Sequence, residues 1–155
     1  MIKEFDILTT CCFSGHRILK KDFNEQRLDF VIDEAIKRGY RTFLVGMALG
    51  FDMKCFNVLL KKRSYNIDII ACVPCKEQDK FYNKKEKEEY NNLIKKADKI
   101  IYVSNEYTNG CMQQRNRFMV DNSSLLITYF YYPRGGTLYT VNYAKKQNKE
   151  IINIY

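Results

Sequence analysis

Six short apolar runs, each followed by a helix-length segment or the chain end, constrain this 155-residue chain more than any other feature. The runs are "DILTTCCF" (6–13), "RTFLVG" (41–46), "IDIIACV" (67–73), "KIIYVS" (99–104), "SLLITYFY" (124–131) and "EIINIY" (150–155). Between the first two, Leu28, Val31, Ile32, Ala35 and Ile36 recur at helical spacing, and Gly39 stands where a helix would end. Phe51, Cys55, Val58 and Leu59 mark a second helix, and Tyr90, Leu93, Ile94 and Ala97 the buried face of a long polar third. Met112, Asn116, Met119 and Val120 predict a fourth; Thr137, Val141 and Ala144 predict a fifth. Near-continuous apolar strands separated by helices belong in a parallel sheet covered on both faces. The expected fold is therefore α/β: a doubly wound, Rossmann-like sheet of about six strands, mostly parallel, formed as one domain over residues 1–155. The length suits one domain, and 46% apolar with 14% aromatic residues suffices for its core. There is no internal repeat, low-complexity tract or linker.

No apolar run approaches the ~20 residues of a membrane span. The opening "MIKEFDILTTCCF" lacks a basic segment followed by a long apolar one, so no secretory leader is expected. The six cysteines, Cys11, Cys12, Cys55, Cys72, Cys75 and Cys111, read as reduced thiols of a cytoplasmic protein. Cys72 and Cys75 form a single CxxC that ends a strand instead of opening a helix, unlike a redox motif. With no second CxxC and only one histidine, no metal site is expected, nor any cofactor. The net charge of +8 would suit nucleic acid or an anionic ligand. Lysines are nevertheless spread along the chain, and "KKEKEE" (84–89) mixes both signs, as a solvated surface does.

In open parallel sheets ligands bind outside the carboxyl ends of the strands. After the first strand come Ser14, Gly15, His16 and Arg17, which offer a hydroxyl, a glycine, the single histidine and a cation. After the second, Gly46 and Gly50 bracket a turn, Phe51 follows, and Asp52 falls in the first helical turn. Pro74 and Gln78 follow the third strand, and Arg115 and Asn116 follow the fourth. After the fifth, Gly135, Gly136 and Thr137 lead into a helix. Each has an ordinary structural role on its own; their convergence on one edge points to recognition of a phosphorylated sugar or nucleotide. Backbone N–H groups of Gly135, Gly136 and Thr137 would take a phosphate at a helix start. Arg115 or Arg17 would add a charge-assisted contact, Asp52 would hold a ribose hydroxyl, and Phe51 or Phe81 would stack a base. The loop is neither a Walker A nor a dinucleotide GxGxxG sequence.

These segments resemble the SLOG superfamily, within it the YpsA-like branch, related to the LOG phosphoribohydrolases and to DprA. The resemblance runs from "FSGHR" through "GMALGFD", "VPCKEQ" and "ADKIIYVS" to "MQQRNRFMVDNSSLLI" and "RGGTLYTVNYA", and the last two are its most specific parts. LOG enzymes carry "RKxxM", a strand, then "GGxGTxxE"; here "RNRFM" (115–119) and "RGGTLYT" (134–140) stand in those places. The resemblance puts Arg115 at the LOG arginine and Thr140 at the LOG glutamate. Cleaving an N-glycosidic bond calls for a carboxylate near the developing oxocarbenium ion, and threonine is a poor substitute. The resemblance thus favours binding over cutting.

The leading expectation is a binding module for a nucleotide or ADP-ribose-like ligand, a sensor or sequestering protein of the kind the family supplies to bacterial and phage conflict systems. Two alternatives stand beside it. One is a nucleotide-processing enzyme of the N-glycoside hydrolase type using Arg115, Asp52 and His16. The other is nucleic-acid binding by analogy with DprA. The family likeness also implies a homo-oligomer. The aromatic run Tyr129, Phe130, Tyr131 and Tyr132 reads as core, ligand wall or subunit contact, with core the default.

Overall fold

The structure, a computed structural model, describes residues 5–155; the stretch read for a leader begins at residues 1–4, outside them. Six strands, β1 (Thr10–Gly15), β2 (Thr42–Val45), β3 (Asp68–Val73), β4 (Lys99–Tyr102), β5 (Leu125–Tyr129) and β6 (Glu150–Asn153), alternate with five helices. These are α1 (Glu25–Lys37), α2 (Phe51–Leu60), α3 (Lys84–Ile94), α4 (Cys111–Asp121) and α5 (Gly135–Lys146). All strands pair in parallel in the order β4-β3-β2-β1-β5-β6, as the doubly wound expectation required.

Alternate side chains along each strand divide the core in two, because successive Cβ atoms point to opposite faces. Cys11, Phe13, Phe43, Val45, Ile69 and Ile127 face the larger half, where they meet Leu28 and Ile32 of α1 and Phe56 and Leu59 of α2. Cys12, Leu44, Ile70 and Leu126 face the smaller half, against Met119 and Val120 of α4 and Val141 and Ala144 of α5. Each large apolar side chain fully withdrawn from water contributes roughly 1.5–3 kcal/mol.

Several boundaries differ from the sequence expectation. Residues Ile7–Thr9 form a 3-10 turn instead of strand, held by the Asp6 carboxylate, which accepts the Leu8 N–H at 3.1 Å. α3 stops at Ile94, and Ala97 packs against the same core from beyond the helix end. β5 ends at Tyr129, two residues early, because the chain leaves the ladder for side-chain partners. The Phe130 N–H bonds the Asn153 side chain at 3.1 Å, and the Tyr132 N–H bonds Nε2 of His16 at 3.1 Å. All six cysteines are buried and none is in a disulfide. Among the described residues no helix is long and apolar enough to cross a membrane.

The sequence-adjacent strands β1 to β4 extend in one direction from β1, while β5 and β6 extend in the other. The order therefore reverses between β1 and β5. That switch sets Ser14 beside Thr128 and Gly15 beside Tyr129, so the loops after β1 and β5 open side by side.

Candidate ligand-binding site

A cavity of about 1240 Å³ lies at this carboxyl edge. Ser14, Gly15, His16 and Arg17 line it from β1, and Asp52 from α2. Gln78 lines it from the loop after β3, Arg115 and Asn116 from α4, and Gly135, Gly136 and Thr137 from the turn after β5. Eleven of the fifteen sequence-selected binding residues thus meet in one space.

The floor is built around the carbonyl of Gly46, at the end of β2. Nη1 of Arg115 donates to it, and Nε2 of Gln78 donates to it at 3.1 Å. Nη1 also reaches the Cys72 carbonyl at 3.3 Å, and Nε donates to Oδ1 of Asn116 at 2.7 Å. Arg115 is therefore a buried cation clamped between the ends of β2 and β3. Asp52 stands opposite. Its Oδ2 accepts the Ala48 N–H at 3.1 Å, whereas Oδ1 is buried without a hydrogen-bond partner. Burial pushes the Asp52 carboxyl up to about 6, against the opposing pull of Arg115 and of the Ala48 N–H. Burial also lowers the Arg115 pKa, while Asp52 counteracts the shift. A carboxylate held near neutrality in a cleft, with one oxygen unsatisfied, is characteristic of functional sites.

Three helices begin at the cavity without a side-chain cap. α2 follows Gly50, α4 follows Gly110 and α5 follows Arg134; none of these residues supplies a capping hydrogen bond. The contrast is with α1 and α3, closed by the side chains of Asn24 and Asn83, although Tyr82 and Glu86 bring the start of α3 to the cavity as well. Uncapped N–H groups and the helix dipole together attract negative charge. The exposed Gly135 and Gly136 leave the start of α5 open. Nδ2 of Asn116 lies 3.8 Å from where a Gly136 side chain would begin. Asn116 thereby connects the turn to Arg115 and the floor.

Four selected residues stand behind the surface. Gly46 gives the floor its carbonyl, and Pro74 is buried, its carbonyl accepting the Ser104 N–H at 3.0 Å. Gly50, at φ +81°, passes so close to the Arg17 backbone that no side chain fits. Phe51, expected as a stacking surface, is fully buried instead; its ring packs on Phe13, Phe23 and Tyr129 in the core. Phe81, the other stacking candidate, lines the cavity and is 87% exposed. Arg115 does not reach out as a free phosphate clamp, since Nε and Nη1 are both held by the protein. His16 uses Nε2 as an acceptor for the Tyr132 N–H, which ties the β1 loop to the β5 loop, and burial lowers its pKa. Thr140 donates to the Gly136 carbonyl at 2.8 Å within α5 and is buried.

The sequence reading missed much of the rim. Tyr107 and Met112, both exposed, line the cavity as Phe81 does. Tyr82, whose hydroxyl donates to the Met47 carbonyl at 3.4 Å and is pushed up to about 12 by burial, lines it as well. Tyr131 and Tyr132 also line the cavity, the ligand-facing alternative that the sequence offered for that run, and only Tyr129 of it is buried core. No local pattern distinguishes such residues; loops of this kind show their facing only once folded.

Residues 15–154 match the sequence profile of the YspA SLOG family. The chain is 34% identical over 138 residues to YoqJ, an SPbeta prophage-derived protein of Bacillus subtilis, covering 79% of this chain and 80% of that protein. In fold it is similar to DprA of Streptococcus pneumoniae, with a TM-score of 0.66 at 17% identity, over 93% of this chain and 49% of that one. The likeness to Helicobacter pylori DprA, described for its single-stranded DNA binding mode, has a TM-score of 0.68 at 20% identity, over 94% of this chain and 64% of that one. The chain thus spans about half to two thirds of the length of those DprA chains.

Proposed function

The chain belongs to the YspA SLOG family, and from that premise we propose that it binds a nucleotide-derived, phosphorylated ligand in the cavity outside β1 and β5. The observation that carries this reading is the uncapped start of α5, opening with Gly135, Gly136 and Thr137 into a cavity with a buried acid and a buried cation. Phosphate oxygens would accept from those N–H groups, and the exposed Arg17 and Arg134 at the rim would add charge. The base would stack on an exposed aromatic ring of the lining, Phe81 or Tyr107. The volume exceeds the usual 300–1,000 Å³ of a small-molecule pocket, which suits an ADP-ribose-sized ligand.

Binding is favoured over LOG-type hydrolysis. Thr140, at the position where the resemblance puts the catalytic glutamate, turns its hydroxyl back to its own helix. A sensor or sequestering role follows from binding without turnover, and the likeness to a prophage-derived protein supports a setting in phage–host conflict.

Thermal unfolding against AMP, ADP, ADP-ribose, NAD and short single-stranded DNA tests the reading, with each mixture chromatographed for products. A ligand at about 100 times its dissociation constant adds about 2.7 kcal/mol of stability. A raised midpoint with an intact nucleotide is expected. Cleaved nucleotide would instead establish an N-glycoside hydrolase. Stabilisation by DNA alone, weakening steeply with salt, would establish nucleic-acid binding.

A further inference from the structure

We propose that Cys75 and Cys111 are a redox-active pair that closes to a reversible disulfide beside the cavity. The proposal does not depend on which ligand the cavity takes. The two thiols come from separate elements, 36 residues apart in the sequence. Cys75 follows β3, and Cys111 is the first residue of α4. After β4 the chain continues alongside the end of β3, where the Val103 N–H bonds the Val73 carbonyl at 2.9 Å and the Ser104 N–H the Pro74 carbonyl at 3.0 Å. Nη1 of Arg115, one turn into α4, reaches the Cys72 carbonyl at 3.3 Å. These contacts hold the start of α4 against the end of β3, and the Cys75 and Cys111 thiols meet there as hydrogen-bond partners.

Their setting differs from that of the other four cysteines. Cys11 and Cys55 belong to the larger half of the core and Cys12 and Cys72 to the smaller, whereas Cys75 and Cys111 belong to neither. Cys75 and Cys111 are 0% and 2% exposed, so a reagent enters through local opening. Asn109 and Gly110, just before Cys111, are exposed, and Gly110 gives α4 no side-chain cap. An uncapped first turn opens readily, and its opening bares Cys111 first. The oxidant is a small disulfide such as oxidised glutathione. The Cys111 thiolate attacks one of its sulfurs and expels a first glutathione thiolate. The Cys75 thiolate then attacks the Cys111 sulfur of the mixed disulfide and expels the second. Two protons and two electrons leave the protein thiols, and one glutathione disulfide becomes two thiols. The Cys75 carbonyl accepts the Gln78 N–H at 3.2 Å, and Met112 follows Cys111, so the new bond fixes two cavity-lining segments to each other.

The test is incubation of the folded full chain with oxidised glutathione, quenching with N-ethylmaleimide, and tryptic mapping without reduction. Trypsin leaves Cys72 and Cys75 within residues 64–76 and Cys111 within residues 100–115. The pair is expected to join those two peptides, and dithiothreitol to separate them. Cys72→Ser is expected to keep the link. Cys75→Ser and Cys111→Ser, each checked for folding by its unfolding transition, are expected to lose it. Because the bond closes a long loop, the unfolding midpoint should rise by roughly 5–10 °C on oxidation and fall back on reduction. A link between Cys72 and Cys75, glutathione left on Cys111, or maleimide on both thiols would overturn the pair. So would a linked chain whose midpoint does not rise, since the folded arrangement would then not accommodate the bond.

Discussion

Asp52 and Arg115 face each other across Gly46. A side chain added at Gly46 would begin 2.9 Å from Nη1 of Arg115 and 3.0 Å from Oδ2 of Asp52. Both charges are buried, each 4% exposed, yet they are not paired oxygen to nitrogen as a structural ion pair would be. Arg115 is spent on the carbonyls of Gly46 and Cys72, and Asp52 on the Ala48 N–H. The arrangement keeps one carboxylate oxygen unsatisfied at the cavity floor.

The first consequence is a stability that falls with rising pH. The folded-state pKa of Asp52, about 6, lies above the ordinary 3.8. Between these values the folded state binds more protons than the unfolded chain. Stability is thus fully present below about pH 4 and is lost as pH rises through about 6. The loss from this one group is about 3 kcal/mol at neutral pH. Asp52→Asn is expected to remove that slope and to unfold at higher denaturant than the parent above about pH 7. Urea titrations at a series of pH values check it; parallel curves for both proteins would refute it.

Gly46→Ala presses on the two charged groups at once. The Cβ would sit against Arg115 and Asp52, neither of which is a loose surface side chain. An overpacking cost of about 1–3 kcal/mol is expected, with loss of nucleotide binding in a chain that still folds. Far-ultraviolet circular dichroism and ligand titration on the same sample separate the two effects.

Arg115→Met replaces the clamped cation by an apolar chain of similar length. The Gly46 and Cys72 carbonyls and Oδ1 of Asn116 then lose their donor and the Asp52 carboxylate its compensating charge, and a destabilisation of about 1–3 kcal/mol is expected at neutral pH. Combined with Asp52→Asn, part of that loss should return, since no buried charge is left unpaired. A double-mutant cycle measures the coupling; simple additivity would mean that the two groups do not interact.

Gly136→Ala tests the turn separately from the floor. Its Cβ meets only Nδ2 of Asn116, at an ordinary 3.8 Å. Alanine is the better helix former by about 1 kcal/mol, so the unfolding midpoint should hold or rise. The methyl group crowds the exposed N–H groups, and affinity for a phosphate-bearing nucleotide should fall at least about tenfold. Unchanged affinity for ADP would move the phosphate away from α5.

Most elements were legible in the sequence because their signals are local. Leu28, Ile32, Ala35 and Ile36 repeat with the helical period, and all four are buried where that period puts them. The misjudged ends have non-local causes. Nothing in "YFYY" announces that Tyr132 will donate to His16, 116 residues away, and so end β5 early. Phe51 illustrates the same limit at the site. Its position just after a strand was read correctly, but the direction of its ring depends on Phe13 and Tyr129, which come from other strands.

By itself the sequence determined the alternation of strands and helices, the parallel sheet, and the small and polar residues stationed after each strand. Periodicity and turn chemistry act over a few residues and survive without knowledge of partners. The pairing of β5 with β1 was decided only in the tertiary structure, and with it the meeting of the Gly135–Thr137 turn with the loop at Ser14–Arg17. So was the inward turn of Arg115 onto Gly46, and the stranding of one oxygen each on Asp52 and Gln78. Burial and hydrogen-bond satisfaction belong to the packed whole, because they depend on which distant groups arrive and which do not.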